Sequence, residues 1–599
     1  MNQNLNLSPT AAPMPVQSPA VRRRNFEEVA LGYDEITAME EARRCLDCPG
    51  APCRGGCPVG VHIPQFIAKV AEGDFAAAWE ILSADNTLPA VCGRVCPQEN
   101  QCQAVCVRGK KGESVAIGRL ERFVADWHRA QQEPKAPSCA EEKGKKVAVV
   151  GSGPAGLACA GELARMGYSV TVFEALHTPG GVLAYGIPAF RLPKDILHEE
   201  IAGLEKLGVT IQTDTVIGRT IPVEELLKDG FSAVFLGSGA GLPNFMGIPG
   251  ETLCGVFSAN EWLTRINLMH AAEPGAATPL MPAKHVVVVG GGNVAMDAAR
   301  CALRCGAEKV SLYCLEDYDS MPMGVEDRTE CEEDGIEIHA GWGQTEILAE
   351  NGRCSGIRFR KCLSVRNAEG RFAPTFDDNT TEEVPCDMVL YCIGQKVDWK
   401  GLLTGTAVEL NPNGTAKADP VTYQTAEPDL FVGGDVYTGQ KFAIDAIAAG
   451  KQGAVSLHRW VQDATLTIGR DKREFIELDK NNLLLEEASY DNTPRQRIGY
   501  NETLRKTFKD GRVAFTEEQV KAETARCLGC GASVVDPNKC IGCGICTTRC
   551  AFDAIHLHRD LPECSTMRSA EDKMKGILPY MIKRKIRIRR AKKAEKRNG

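Results

Sequence analysis

KKVAVVGSGPAGLACAGELARMGYSVTVFE, residues 145–174, decides the fold. An apolar β-branched run breaks at Gly151, Gly153 and Gly156, passes through Pro154 and Ala155 into an apolar segment at helical spacing, and returns to a second β-branched run that ends at Glu174. Strand, glycine turn, helix and strand in that order make a βαβ unit, in which small residues let backbone N–H groups at a helix N-terminus approach a pyrophosphate. A carboxylate at the end of the second strand accepts the ribose hydroxyls of an adenosine and repels a 2′-phosphate. Glycines alone would equally suit a turn that binds nothing; here strand, glycines, helix, strand and acid fall in register.

A second unit of the same grammar, KHVVVVGGGNVAMDAARCALRCGAEKVSLYCLE, starts at Lys284 and offers Gly290, Gly292, Asn293, Val294 and Ala295 as its nucleotide loop. Two such units imply one FAD and one nicotinamide nucleotide, NAD(H) or NADP(H). The stretch VGGDV, with Gly434 and Asp435, follows an apolar run and precedes the helical pattern AIDAIAAGKQGAVSLHRW. An acid placed there serves the ribityl and pyrophosphate of the first loop's FAD; the plain alternative is an Asp that caps a helix. The expected layout is multidomain α/β, with two nested Rossmann-like domains: FAD-binding over 146–283 and 398–470, NAD(P)-binding over 284–397.

Cysteines flank this core. Cys45, Cys48, Cys53, Cys57, Cys92, Cys96, Cys102 and Cys106 lie among segments with three-to-four apolar spacing, so residues 26–132 are expected to form a helical iron–sulfur domain behind a disordered lead, 1–25, and before a linker, 133–145. Near the C-terminus, Cys540, Cys543, Cys546 and Cys550 have ferredoxin spacing, with Cys527, Cys530 and Cys564 as further thiols. A connecting segment, 471–525, a ferredoxin-like segment, 526–565, and a basic tail, 566–599, complete the expected order. Paired cysteines also suit tetrahedral zinc. The Cys-Pro steps at Cys57 and Cys96 and the flavin context favour [4Fe–4S] clusters, two N-terminal and one or two C-terminal. Nicotinamide, flavin and clusters together read as an electron path, since a flavin converts a hydride into the single electrons that clusters carry.

The chain has 599 residues, a formal charge of −8 and 26 cysteines. Many cysteines in a long chain whose first residues lack an apolar signal core point to a reducing, cytoplasmic setting. The acidic balance gives the body no reason to bind nucleic acid. No run of apolar residues approaches the length of a membrane span, so membrane contact is expected only peripherally, through the basic tail, which suits an acidic redox partner or an anionic surface.

The cysteine arrangement, the first glycine unit, PGGVLAYGIPAFRLPKD, VVVVGGGNVAMDAAR and FVGGDV together resemble the glutamate synthase small-subunit (β-subunit) family of FAD and iron–sulfur oxidoreductases over about residues 26–465. Related modules are the large subunit of ferredoxin-dependent NAD/NADP transhydrogenase and the N-terminal half of dihydropyrimidine dehydrogenase. The resemblance implies one [4Fe–4S] cluster on Cys45, Cys48, Cys53 and Glu121, and another on Cys57, Cys96, Cys102 and Cys106, leaving Cys92 spare. It also implies that Gly181, Tyr185, Gly186, Ile187 and Pro188 wrap the flavin ring, with Arg191 close by. One departure stands out: where NADPH-using members carry a tyrosine and two arginines, this chain has Cys314, Leu315 and Glu316. An acid in place of two cations favours NADH over NADPH.

The function so implied is an NAD(P)H-dependent FAD and iron–sulfur oxidoreductase subunit that exchanges electrons with a redox partner such as ferredoxin, hydrogenase or formate dehydrogenase, with electron bifurcation as an analogy. Hydride transfer between aligned rings needs no acid–base group, so no catalytic residue is named. The alternatives are the small subunit of glutamate synthase itself and, from another class, an electron-transfer scaffold with vestigial nucleotide sites.

Overall fold

The computed structural model describes residues 5–131, 139–399, 401–470, 493–504, 507–527, 540–549, 555–557 and 570–595. The chain divides into two compact units, 1–472 and 473–599.

In the first unit, helices Glu35–Ala42, Ile63–Glu72, Phe75–Asp85 and Ile117–Arg129 bury Phe66, Ile67, Val70, Leu82, Leu120 and Val124 against one another. The lead, expected to be disordered, is ordered from Leu5: Val16 bridges Ala30, Arg44 Nε donates to the Ser8 carbonyl at 3.2 Å, and Arg22 is fully buried. Its polar composition misled because it orders through ion pairs and backbone hydrogen bonds to distant segments, which leave no periodicity behind.

The first nucleotide domain is a parallel five-stranded sheet in the order Leu430–Val432, Phe231–Leu236, Lys146–Val150, Ser169–Phe173, Thr210–Gln212. Helix Pro154–Arg165 lies on it, and the long helix Ala443–Val461 crosses that helix so closely that a Cβ on Gly450 would stand 2.1 Å from the Ala155 carbonyl oxygen. Only glycine allows that approach.

The inserted domain is a second parallel five-stranded sheet, in the order Val256–Ser258, Met388–Tyr391, His285–Val289, Lys309–Cys314, Glu337–Ala340. Its boundary therefore falls earlier than the expected residue 284. Val256–Ser258 is its edge strand, and helix Ala259–Asn267 buries Trp262, Leu263 and Ile266 in its core. Against it stands an antiparallel sheet of Trp342–Glu350, Arg353–Arg366 and Phe372–Pro385, which the sequence reading did not separate. The two crossings between the nucleotide domains pair with each other as Leu242–Pro243 and Gln395–Lys396.

In the second unit, Gly499–Tyr500 pairs with Arg512–Val513, and Thr516 and Gln519 cap helix Glu517–Ala525 reciprocally. The tail forms a helix of 26 residues, Ala570–Glu595, with Pro579 inside it. Among the described residues no helix is long and apolar enough to cross a membrane.

Candidate cofactor and cluster sites

A cavity of about 920 Å³ opens along the C-terminal ends of the first sheet's strands, with Gly151, Gly153, Pro154 and Ala155 on one wall and Gly434 and Asp435 on another. This is the crevice in which open α/β sheets bind ligands, and its size suits a dinucleotide. Gly151 has φ +96°, and a Cβ there would meet the Gly237 carbonyl oxygen at 2.7 Å; on Gly156 it would meet the Gly151 carbonyl oxygen at 1.9 Å. A Cβ on Gly153 meets nothing within 4 Å, leaving its backbone open to a ligand.

Glu174 is buried at the cavity edge. Its Oε2 accepts from the Ser152 N–H at 2.9 Å and hydroxyl at 2.5 Å, and Oε1 accepts from Leu176 N–H at 2.8 Å. Those bonds fix the carboxylate while Oε1 keeps a lone pair for a ribose hydroxyl. Asp435 opens a one-turn helix, Asp435–Thr438, separate from the long helix that begins at Ala443. Desolvation pushes its carboxyl up to about 6, against hydrogen bonds from the Lys441 and Ala240 backbone.

Gly181 and Tyr185 line the cavity, whereas Gly186, Ile187, Pro188 and Arg191 do not. The chain turns away after the one-turn helix Val182–Tyr185; Ile187 packs against the first domain's core, and Arg191 Nη1 donates to Asp297 Oδ2 at 2.9 Å. In the second loop, Gly290 has φ +139° and Asn293 opens helix Asn293–Arg304. Val294 is exposed and Ala295 buried. A Cβ on Gly291 would lie 3.1 Å from Glu316 Oε2, which places the carboxylate beside the glycine turn.

The structure sorts the N-terminal cysteines differently from the expected sets. Cys45, Cys48, Cys53 and Cys106 surround one cavity, walled by Ile63, Ile67, Val115 and Ile117. Glu121 stands instead with Cys57, Cys96 and Cys102, whose thiols all feel its charge. The fourth partners differ from those the resemblance implied, because the loop after Cys102 returns Cys106 to the first group while helix Ile117–Arg129 brings Glu121 to the second. Glu121 Oε1 accepts from Asn86 Nδ2 at 2.9 Å, and burial pushes the carboxyl up to about 7. Burial also pushes the Cys45 and Cys53 thiols up to about 11, so a metal that takes them as thiolates must displace their protons. Cys92 is buried and points its thiol at Asn86 Oδ1, 3.7 Å away. Among the described residues no three Cys, His, Asp or Glu converge on a single metal ion. A shared apolar cavity ringed by soft sulfur donors fits a cluster, whose irons the thiolates reach from outside.

Three sequence families match the chain: dihydropyrimidine dehydrogenase domain II, 4Fe-4S cluster, over residues 22–133; pyridine nucleotide-disulphide oxidoreductase over 145–452; and 4Fe-4S binding domain over 533–556. The NADP(+)-dependent formate dehydrogenase subunit beta of Moorella thermoacetica is 35% identical over 509 residues, covering 80% of this chain and 70% of that one. The glutamate synthase [NADPH] small chain of Escherichia coli (strain K12) is 32% identical, covering 74% of this chain and 95% of that one. The chain belongs to the glutamate synthase small-subunit family of FAD and iron–sulfur oxidoreductases. A further relative, the NAD-dependent dihydropyrimidine dehydrogenase subunit PreT of Escherichia coli, is 31% identical and covers 73% of this chain and 98% of that one.

As a member of that family the protein is a flavin-dependent oxidoreductase with FAD, NAD(P) and [4Fe–4S] cofactors. Sequence reasoning missed part of the FAD cavity: Thr215, the loop Gly237–Gly241, Asn260 and Lys441 also line it. The signal was present in GSGAG after the strand Phe231–Leu236, a further strand-then-glycine junction. At the C-terminus, Cys540, Cys543 and Cys546 flank and enter helix Ile545–Arg549, and Cys527 follows helix Glu517–Ala525; Cys530, Cys550 and Cys564 lie outside the described residues.

Proposed function

We propose that this chain is the NADH-reactive subunit of a larger oxidoreductase and passes electrons to a separate redox protein. Bound in the 920 Å³ cavity, FAD supplies the exchange between two-electron nicotinamide chemistry and one-electron cluster chemistry. The chain's residues bind and align. Gly151, Gly153 and the N-terminus of helix Pro154–Arg165 take a pyrophosphate, Glu174 a ribose, and Asp435 the neighbouring polar chain. Gly290, Gly292 and Asn293 serve the second nucleotide in the same way. Cys45, Cys48, Cys53 and Cys106 hold one cluster, and Cys57, Cys96, Cys102 and Glu121 the other. The second set adjoins the first nucleotide domain, since Val91, Cys92 and Cys96 pack into that domain's core.

Glu316 carries the choice of nucleotide. Its carboxylate beside Gly291 accepts the ribose hydroxyls of NADH and opposes a 2′-phosphate. The experiment is an anaerobic titration of the purified chain with NADH and with NADPH, following flavin bleaching and then cluster reduction by EPR. Faster reduction by NADH is expected. A preference for NADPH refutes the Glu316 argument and moves the small subunit of NADPH glutamate synthase to the front.

For the partner, the reading rests on the C-terminal cluster segment and on helix Ala570–Glu595, whose Lys583, Arg584, Lys585, Arg587, Arg589 and Arg590 are all exposed. Such a face suits an acidic redox protein of the ferredoxin kind. Turnover with ferredoxin is expected to fall as ionic strength rises, and a flat salt profile would sink that docking role.

A further inference from the structure

Residues 185–194 follow the flavin cavity in the chain, and while Ile187 and Leu192 pack into the first domain's core, several of their other anchors lie in the second nucleotide domain. Phe190 is 1% exposed and packs with Met296, Ala299 and Met323, with the guanidinium carbons of Arg300 and Arg304 at 4.9 and 4.0 Å from its ring centroid. Asn267 Nδ2 donates to the Tyr185 carbonyl at 3.0 Å. Arg191 reaches Asp297 Oδ2 at 2.9 Å and Asp327 Oδ2 at 3.7 Å. Lys194 Nζ closes the loop from within, donating to the Leu183 carbonyl at 2.9 Å and to the Ile187 carbonyl.

Asp297 sits four residues beyond Asn293, one turn into the helix that follows the second glycine loop. It is 4% exposed, and its Oδ1 has no hydrogen-bond partner among the described residues, so the bond from Arg191 is its direct ion pair, with Arg300 and Lys194 acting on it from further off. A charge pair with its carboxylate buried and its guanidinium largely so resists sliding, because separating it leaves the Asp297 charge desolvated and unpaired. The pair therefore couples the axis of the nucleotide-binding helix to the loop carrying Tyr185 and Gly181, which form the cavity wall.

We propose that Asp297 is a positioning residue for hydride transfer: through Arg191 it fixes the flavin-facing loop against the helix that takes the nicotinamide nucleotide. It is not among the residues lining the flavin cavity, and the role assigned to it donates no proton. Its effect is on alignment, where a displacement of about 1 Å can cost up to about 100-fold in rate. The inference rests on the nucleotide reading of the two glycine loops.

The test uses the full chain, purified anaerobically with its cofactors, as Asp297→Asn, Asp297→Glu and wild type. Three quantities are measured: FAD content, NADH affinity, and the limiting rate of flavin bleaching with NADH and with its 4-deuterated form. Asp297→Asn is expected to retain FAD and to bind NADH within about threefold of wild type. Its bleaching should slow about tenfold and show a larger deuterium isotope effect, with Asp297→Glu recovering most of the rate. A wild-type rate and isotope effect in Asp297→Asn overturns the proposal, as does a loss of rate that merely tracks lost FAD or NADH. If Asp297→Asn does not fold, Asp327→Asn tests the longer pair, and an unchanged rate and isotope effect there also overturns it. If neither NADH nor NADPH bleaches the wild-type flavin, the nucleotide reading fails first and the proposal falls with it.

Discussion

Arg22 Nε donates to Asp334 Oδ1 at 2.7 Å across 312 residues of sequence, and both side chains are almost wholly buried. Arg300 Nε reaches the other oxygen of Asp334 at 3.0 Å, and Arg22 Nη2 also bonds Glu333 at 2.7 Å. The chain's lead is thereby riveted to helix Val325–Asp334 of the second nucleotide domain.

Removing that rivet has a definite cost. Arg22→Ala leaves Asp334 with Arg300 but strips a buried donor pair from the lead, and about 3 kcal/mol of stability should go with it. A lower thermal midpoint and rapid proteolytic trimming before residue 25 are expected. An unchanged midpoint would mean that the lead contributes no stability.

The sorting of the N-terminal cysteines predicts which substitutions share a phenotype. Cys106→Ser should perturb the same EPR signal as Cys45→Ser, because these thiols ring one cavity. Glu121→Ala should perturb the signal that Cys102→Ser perturbs. The opposite grouping would restore the sets implied by the family resemblance.

The three glycines of the first loop should fail in different ways. Gly156→Ala drives a methyl group into the Gly151 carbonyl oxygen and should destabilise the domain by about 1–3 kcal/mol, visible as a lower unfolding midpoint. Gly153→Ala meets no protein atom, so it should leave the midpoint of the FAD-free protein unchanged while weakening FAD binding about tenfold or more. Equal loss of stability in both variants would contradict the open approach at Gly153.

Glu200 joins helix Lys194–Lys206 to helix Pro89–Val95, accepting from the Ala90 and Val91 N–H groups at 2.7 and 3.3 Å. Desolvation outweighs those bonds and pushes its carboxyl up to about 8 from 4.5. The folded state then binds the proton more tightly than the unfolded one, so this contribution to stability is full below about 4.5 and declines as pH rises through about 8. Urea midpoints taken between pH 6 and pH 8 should fall less steeply in Glu200→Gln. Parallel slopes would show that Glu200 does not titrate in this window.

What could be read from the sequence was local. The unit ending at Glu174 is contiguous, and its strand, turn and helix obey short-range rules of sterics and periodicity; the loop Gly290–Ala295 and the strand leading into Asp435 follow the same rules. Cofactor classes were legible for the same reason, since glycine loops and cysteine spacing are chemistry written into adjacent residues. Tertiary structure decided whatever depends on which distant segments meet. Cys106 and Glu121 exchanged groups because a helix and a loop carry them to opposite sides of one small domain. The inserted domain took Val256–Ser258 as its edge strand because sheet pairing, unlike helical periodicity, has no sequence distance. Arg191 pairs with Asp297, since a largely desolvated guanidinium needs a carboxylate and the partner lay 106 residues away.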